Sequence, residues 1–321
     1  MKYFVTGGAG FIGSHIVDKL MEKSGEVNEV IVYDNFSTGQ ELFIQQHLNH
    51  PNFRLIKGDI LDLPLLTKSM QGSDFVFHLT ANADVRGGIN NTDIDFQQNI
   101  VGTKNVLEAM RVNGIKKIAF SSSAVVYGEP KIFPTPENCE LIQTSLYGAS
   151  KLAGEALIQA YCEYYGIRCW IFRFVSWIGE RYTHGVVFDF IRKLQKNPKE
   201  LEILGNGEQK KSYLYVKDGV EGIFFAINHF NEKVNIFNLG HKEFMSVTNV
   251  AKIILQEMRM NETKFCFTGG ERGWIGDSPF VHLDISKLEM KGWAPKTSIE
   301  EGIRRTARYL LDNSPVLKTR K

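Results

Sequence analysis

Cysteine, long apolar runs and an excess of either charge are all scarce in this 321-residue chain, and each shortage excludes a class of protein. Only four cysteines occur, Cys139, Cys162, Cys169 and Cys266, at irregular spacing and without a C-x-x-C pair. Neither a disulfide framework nor a metal site is implied, and the thiols read as buried ones in a reducing compartment. Lysine and arginine number 38 against 36 aspartates and glutamates, a formal net charge of +2. That is far from the concentrated basic surface that nucleic-acid binding calls for. No apolar run approaches the roughly 20 residues of a membrane-spanning helix, and the opening Met1-Lys2-Tyr3-Phe4-Val5-Thr6-Gly7-Gly8 meets its glycines too soon for a signal peptide. A cytoplasmic protein with no nucleic-acid and no membrane partner is expected. Repeats and low-complexity tracts are also missing, and the basic end Lys318-Thr319-Arg320-Lys321 reads as a solvated tail.

What is present is an ordinary globular composition, 43 % apolar and 23 % charged, on a chain long enough for two domains or one large α/β unit. Short β-branched or aromatic runs recur through the first half: Tyr3-Phe4-Val5, Val30-Ile31-Val32-Tyr33, Phe53-Arg54-Leu55-Ile56, Asp74-Phe75-Val76-Phe77-His78, Lys117-Ile118-Ala119-Phe120 and Cys169-Trp170-Ile171-Phe172. Between them, Phe11 to Met21, Ile100 to Met110 and Leu152 to Tyr165 repeat apolar residues every three or four positions, the period of a helix. The alternation predicts an α/β fold, a parallel sheet with helices on both faces. After Phe174 the pattern loosens into shorter helices near Val187 to Leu194, Val247 to Met258 and Ile299 to Leu311, with brief strands and glycine turns. A first domain over 1–175 and a smaller mixed α/β domain over 176–321 are expected, with a strand near 234–240 able to rejoin the first sheet.

Gly7-Gly8-Ala9-Gly10-Phe11-Ile12-Gly13 follows the first strand and opens the first helix. A turn without Cβ atoms lets backbone N–H groups and the positive end of a helix meet a pyrophosphate, and the strand-turn-helix context gives the motif its weight. Asp34 closes the second strand about twenty residues past Gly13, where a carboxylate accepts hydrogen bonds from an adenosine ribose. Asn35-Phe36-Ser37-Thr38-Gly39 follows with no Lys or Arg. A carboxylate there repels a 2′-phosphate, so NAD is favoured over NADP. Asp59 and Ile60, after the third strand, could lie beside the adenine.

Tyr147-Gly148-Ala149-Ser150-Lys151 begins a predicted helix, and a separation of four puts Tyr147 and Lys151 on one face. A phenol has a reference pKa near 10, so acting as a base near pH 7 needs a shift of roughly three units, about 4 kcal/mol. A nearby ammonium and a cationic nicotinamide ring both favour the phenolate. Upstream, Ser121-Ser122-Ser123-Ala124-Val125-Val126-Tyr127-Gly128 ends the fifth strand, at the carboxyl edge where open α/β sheets bind ligands. A hydroxyl there could hold the substrate oxygen.

These residues resemble the extended short-chain dehydrogenases/reductases, and within them the UDP-glucose 4-epimerase-like branch. The resemblance runs over nearly the whole chain. It includes Thr6 to His15, His78-Leu79-Thr80-Ala81, Asn99-Ile100-Val101-Gly102-Thr103, the serine strand end and Tyr147 with Lys151. In the C-terminal half it includes Gly205-Asn206-Gly207-Glu208-Gln209, Tyr213-Leu214-Tyr215-Val216-Lys217-Asp218, and Leu283-Asp284-Ile285-Ser286-Lys287 with Gly292-Trp293-Ala294-Pro295. The resemblance implies a Rossmann-type doubly wound sheet, a tightly held NAD and a nucleotide-diphosphate sugar as substrate. Leu79, Thr80, Ala81, Asn99, Ser121 and Val175 would join the glycine turn around the cofactor. Tyr147 would take the proton of a sugar hydroxyl, Ser123 would hold that oxygen, and Lys151 would lower the pKa of Tyr147 while bonding the nicotinamide ribose. Hydride would pass to NAD and return on the other face of the keto sugar. Ala124, Ser176, Val187 and Leu204 would meet the substrate. Relatives pair as dimers through two helices each, here Asn99 to Met110 and Tyr147 to Tyr165.

Dehydratases of this family carry an Asp-Glu pair just after the active-site hydroxyl, because eliminating water needs an added general acid and base. Ala124 and Val125 stand there instead, which argues against dehydration; decarboxylases of the family tend to have Glu in the same stretch. Ser176 replaces the usual Asn, Lys211 the usual Arg, and Ser212 the usual Asp. Lysine binds phosphate as a point charge without the fork of arginine. Arg272 could supply that fork, with Arg181 as a second candidate. Glu202-Ile203-Leu204 would lie near the base, and the small Val281 would permit an N-acetylhexosamine. Asp84 and Arg86 could meet the sugar or line a solvated loop, His184 reads as structural, and Asp93 and Asp95 read as helix N-terminal acids. The leading expectation is an NAD-dependent C4 epimerase. A net C4 dehydrogenase would use the same residues, and a catalytically silent NAD-binding scaffold would need none of Ser123, Tyr147 and Lys151.

Overall fold

The structure, a computed structural model, describes residues 1–23, 25–85 and 87–318. In chain order the first half runs β1 Lys2–Thr6, α1 Phe11–Met21, β2 Glu29–Asp34, β3 Phe53–Lys57, α2 Leu63–Ser69, β4 Phe75–His78, α3 Thr92–Asp95, a π-helical turn Phe96–Val101, α4 Gly102–Val112, β5 Lys117–Ser123, α5 Leu146–Tyr165 and β6 Arg168–Phe174. The second half holds β7 Ser176–Ile178, α6 Val186–Lys196, β8 Glu200–Ile203, β9 Lys210–Lys211, β10 Tyr213–Tyr215, α7 Val216–His229 and β11 Val234–Leu239. It ends with β12 Met245–Ser246, α8 Val247–Glu257, β13 Lys264–Phe267, β14 Phe280–Val281, α9 Ser286–Glu289, α10 Ile299–Asp312 and α11 Ser314–Leu317.

The chain groups into two compact units. One holds residues 1–128, 141–173 and 223–237, the other 129–140, 174–222 and 238–321. The first is built on a seven-stranded sheet of order β11-β6-β5-β4-β1-β2-β3, parallel and flanked by helices in a Rossmann-like arrangement. Because β2 and β4 lie on opposite sides of β1, the connections leave in opposite directions there and open a crevice at the carboxyl ends of β1 and β4. The strands are almost wholly buried, with Phe4, Ile31, Val76, Ile118, Phe120 and Ile171 all 0–1 % exposed in one core cluster. Buried on both faces, they read in sequence as continuous apolar runs.

The second unit is more fragmented. Its pairings are the short parallel pairs β7–β10 and β8–β13 and a three-stranded set β12-β9-β14. Helix α10 turns Ile299, Ile303, Ala307 and Leu310 inward and its arginines outward, where Arg304 and Arg308 both bond Glu257 of α8. Of the four cysteines, Cys162 and Cys169 are buried, whereas Cys139 and Cys266, both in the second unit, are partly exposed. Among the described residues no helix is long and apolar enough to cross a membrane.

Candidate active site

The glycine turn after β1 is shaped by what it lacks. Gly7, at φ +71°, donates its N–H to Tyr33 O, and a Cβ on it would stand 2.9 Å from Thr80 N. Helix α1 starts on Gly10, which offers no side-chain cap, so its first-turn N–H groups have no capping oxygen and suit an anion. Phe11 is buried at this start, while Ile12 is partly exposed. Asp34 is drawn against the turn: Oδ2 accepts from Ala9 N at 3.0 Å and Oδ1 from Phe36 N at 2.9 Å. A Cβ on Gly39 would lie 2.8 Å from that carboxylate. Burial holds the Asp34 carboxyl above its usual range, and the two backbone donors oppose it.

Asn35 Nδ2 donates to Asp59 Oδ2 at 2.9 Å, and its Oδ1 accepts from Ser37 N, while Ser37 and Thr38 stay exposed. These residues come together beside Asp34. Ile60 does not present its side chain there: it is 2 % exposed, belongs to the core, and packs where a Cβ on Gly102 would come within 2.3 Å. The N–H groups of Leu79 and Thr80 reach Thr6 Oγ1 at 3.2 and 3.4 Å, which holds this loop and the following Ala81 at the mouth of the crevice. Ser121 Oγ donates to His78 O at 3.4 Å. The Cβ-free turn, the uncapped helix start and the Asp34 carboxylate fit a dinucleotide.

At the end of β5, Ser123 caps a short turn over Ala124–Tyr127 by accepting from Val125 N at 3.2 Å. Ser145 caps α5, its Oγ accepting from Gly148 N at 3.0 Å. A Cβ on Gly148 would lie 2.9 Å from Val125 O. That close approach sets Tyr147 beside Ser123, whose hydroxyl favours the ionised phenol. One turn on, Lys151 is 2 % exposed, has no hydrogen-bond or ion-pair partner among the described residues, and lies 4.6 Å from the Phe120 ring. An ammonium with all its donors free suits ribose hydroxyls.

The lowered phenol expected from sequence is not what the chain alone provides. Burial pushes Tyr147 up to about 12, with Ser123 opposing and Asp95 adding to the rise. Burial also pulls Lys151 down to about 7, against Glu155 and Asp95. Desolvation outweighs the neighbouring charges for both groups.

Beneath the pair lies a network that sequence reading missed. Glu155 and Arg173 are 0 % and 3 % exposed and bonded twice, at 2.8 and 3.0 Å; Ser122 Oγ donates to Glu155 Oε1 at 2.5 Å, and Arg173 donates to Tyr127 Oη at 2.9 Å. The signal was available, since Tyr147, Lys151 and Glu155 repeat at intervals of four on one helix face. Asn99 is likewise occupied internally: Oδ1 accepts from Asn82 N at 2.8 Å, and Nδ2 donates to Ser150 Oγ at 2.9 Å and Asp95 Oδ1 at 3.3 Å. Asp93 and Asp95 both lie in the first turn of α3, as the sequence reading had them; Asp93 is exposed and Asp95 is 1 % exposed.

In the second unit, Lys211 Nζ lies 2.6 Å from Asp277 Oδ1 and 5.0 Å over the Trp274 ring. Arg272 forms a two-pronged pair with Glu129, one arm at 2.9 Å, and also reaches Asp277 O at 3.2 Å. Asp277 thus gathers Lys211 and Arg272. Leu204 joins them, because a Cβ on Gly273 would be 3.5 Å from its side chain. Val281 lies level with Lys211 across β9–β14. Ser212, in the position where Asp is usual, is fully buried and bonds His241 N and O at 3.0 Å. Val187 is 0 % exposed, turned into the core at the start of α6; Ser176 is exposed; and Val175 N donates to Leu239 O at 3.1 Å. Arg181 stands at φ +64° beside Tyr309, and His184 stacks on Tyr182 at 5.9 Å. Arg86 and the tail from 319 onward lie outside the described residues.

Residues 3–240 match the model of the NAD dependent epimerase/dehydratase family. A putative UDP-glucose 4-epimerase of Methanocaldococcus jannaschii is 37 % identical over 97 % of this chain and 98 % of its own. UDP-glucuronic acid decarboxylase 3 of Arabidopsis thaliana is 32 % identical, covering 94 % and 87 %. Among solved structures, a UDP-galactose 4-epimerase superposes with a TM-score of 0.86 at 35 % identity over 98 % of this chain and 99 % of that one. The relatives thus include different reactions on nucleotide sugars. The chain belongs to the NAD-dependent epimerase/dehydratase family of nucleotide-sugar enzymes.

Proposed function

We infer that the protein is an NAD-dependent epimerase acting at C4 of a nucleotide-diphosphate sugar, with a UDP-hexose or UDP-N-acetylhexosamine as substrate. The observation that carries this is the placing of Tyr147 beside Ser123 with Lys151 one helical turn on, and of Ala124 and Val125 where a dehydratase would place its acid and base. NAD, when bound, accepts the C4 hydride and returns it. Tyr147 takes and later gives back the proton of the C4 hydroxyl, and Ser123 holds that oxygen. Lys151 offers its free donors to the ribose, and its charge, with that of the oxidised nicotinamide, opposes the burial that now keeps the phenol protonated.

The glycine turn from Gly7 to Gly13 seats the pyrophosphate, and Asp34 accepts the adenosine ribose hydroxyls. Lys211 and Arg272 take the substrate diphosphate, with Leu204 near its base; the small Val281 leaves room for an N-acetyl group. The similarity to a putative UDP-glucose 4-epimerase and to a UDP-galactose 4-epimerase supports the uridine nucleotide. A homodimer paired through α4 and α5 and a cytoplasmic location complete the reading.

The test mixes the purified protein with UDP-, GDP-, CDP- and dTDP-sugars, including hexose and N-acetylhexosamine pairs, and follows chromatography, mass and nicotinamide absorbance. An isomer of unchanged mass with no net NADH supports epimerisation. A loss of two hydrogens with accumulating NADH would make the protein a dehydrogenase, a loss of water would overturn the reading of Ala124 and Val125, and turnover of no sugar would favour a silent binding protein.

A further inference from the structure

Among the described residues, Lys151 and Asp95 of the first unit are buried with no opposite charge in contact. Lys151 Nζ lies 4.6 Å from the Phe120 ring. Asp95 takes only neutral amides, Asn82 Nδ2 at 2.9 Å and Asn99 Nδ2 at 3.3 Å, both on Oδ1. Its Oδ2 has no partner among the described residues, and a Cβ on Gly88 would come within 2.8 Å of it. Glu155, the other carboxylate that acts on Lys151, is already matched by the two-pronged Arg173 guanidinium. His78, on β4, also faces Lys151, but it lies between Thr6 and Thr103 and burial keeps it uncharged. Tyr147 is protonated as it stands, and Asp84, which acts on Asp95, is exposed and of like sign.

A buried carboxylate without a counter-charge is costly, and so is a buried ammonium. Glu155 gives the larger support to the Lys151 charge but is shared with Arg173, whereas Asp95, the second carboxylate acting on Lys151, has no other counter-charge among the described residues. Asp95 is also tied to the helix that carries the pair: Asn99, which donates to it, donates to Ser150 Oγ as well, and Ser150 Oγ donates to Tyr147 O at 2.8 Å. The π-helical turn Phe96–Val101 sets Asn99 within reach of both, as such turns often do at functional sites.

We propose that Asp95 is a positioning residue for the Tyr147–Lys151 pair: its amide-held carboxylate is the distant counter-charge that keeps Lys151 an ammonium, and the Asn99–Ser150 link fixes the first turn of α5. The proposal rests on the reading of Tyr147 as the base. It separates two carboxylates that the sequence leaves together, Glu155 joining α5 to Arg173 of β6 and Asp95 adding to the charge balance of Lys151.

The experiment compares wild-type protein with Asp95→Asn and Asp95→Glu, checking folding by circular dichroism. Lys151 is titrated by NMR of protein labelled at lysine ¹³Cε, its resonance assigned by its loss in Lys151→Met. Removing the anion should lower the Lys151 midpoint by about one to two pH units, the size expected of one uncompensated buried charge. Both limbs of the kcat/KM pH profile should move to lower pH, and Asp95→Glu should restore both. A folded Asp95→Asn protein with an unmoved Lys151 midpoint overturns the proposal, as does one that loses activity equally at every pH. If Asp95→Asn does not fold, the reciprocal measurement decides: in Lys151→Met the Asp95 carboxyl midpoint should rise by a similar amount, and an unchanged value overturns the proposal. Turnover retained in Tyr147→Phe would strike the base reading instead, while the Asp95–Lys151 coupling would still be read directly from the titrations.

Discussion

A Cβ on Gly13 would stand 2.0 Å from the carbonyl oxygen of Gly7, with Gly7 C and Gly8 Cα both at 2.8 Å. These are backbone atoms, so no side chain can swing aside, and the turn itself would have to open. Gly13→Ala is expected to destabilise the fold by ~2–4 kcal/mol and to weaken NAD binding at least about tenfold, because the uncapped N–H groups move with the turn. Thermal melting and an NAD titration read the two effects. Unchanged NAD affinity would remove this turn as the pyrophosphate seat.

The Glu155–Arg173 pair is fully buried and two-pronged. Removing one member leaves the other charge without its match, so Glu155→Gln or Arg173→Met should each cost about 3–5 kcal/mol. The double replacement Glu155→Leu with Arg173→Met should recover much of that loss, since no charge is then stranded. Urea unfolding of the three variants checks this; a double variant as unstable as the sum of the singles contradicts it.

Burial, and after it the Lys151 charge, push His78 down to about 3 from an ordinary value of 6.5. Between those values the unfolded chain binds a proton that the folded chain refuses. Stability is therefore lost as pH falls below about 6.5, with a slope that approaches 1.4 kcal/mol per pH unit. In His78→Gln this contribution should vanish. Denaturation midpoints at pH 7.5, 6 and 5 make the comparison, and equal pH slopes in the two proteins would rule the histidine out as their source.

Arg272 is held by Glu129 in a partly exposed pair. Glu129→Gln frees the guanidinium at little cost in stability, because such surface pairs contribute about 0–1 kcal/mol. UDP should then bind about two- to five-fold more tightly, while Arg272→Ala should weaken it at least about tenfold. Calorimetry with UDP alone measures both, and unchanged binding in Arg272→Ala would dismiss this residue from the diphosphate site.

Much of the first unit was legible because its physics is local. A fully buried parallel strand must be apolar throughout, and the runs from Tyr3 to Val5 and from Val30 to Tyr33 were found as strands for that reason. The helix over Phe11 to Met21 was read with its bounds intact. The pairing of Ser123 with Tyr147 could be anticipated only through resemblance, since 24 positions separate the two along the chain. What could not be read were roles set by burial. Asp93 and Asp95 look alike in sequence, yet one lies in solvent and the other is enclosed, which depends on Asn82 and Gly88 folding over it. Helix α7, over Val216–His229, was not read from the sequence, although Lys217, Glu221 and Asn228 give it an exposed polar side. The core packing of Ile60 against the bare face of Gly102 was likewise not legible in the sequence.

The outermost strand of the large sheet, β11, comes from the far end of the chain region that builds the first unit, after residues 174–222 have gone into the second. During synthesis, β6 is complete long before its partner exists. At ~5–20 residues per second the ribosome needs several seconds to reach Phe237, and for that interval the β6 edge offers an unpaired row of N–H and C=O groups to any extended segment nearby. The birth of the first unit is thus timed by the length of the second. A truncated gene product ending at residue 175 would keep that open edge permanently, which makes it a candidate for self-association rather than a free-standing dinucleotide-binding module.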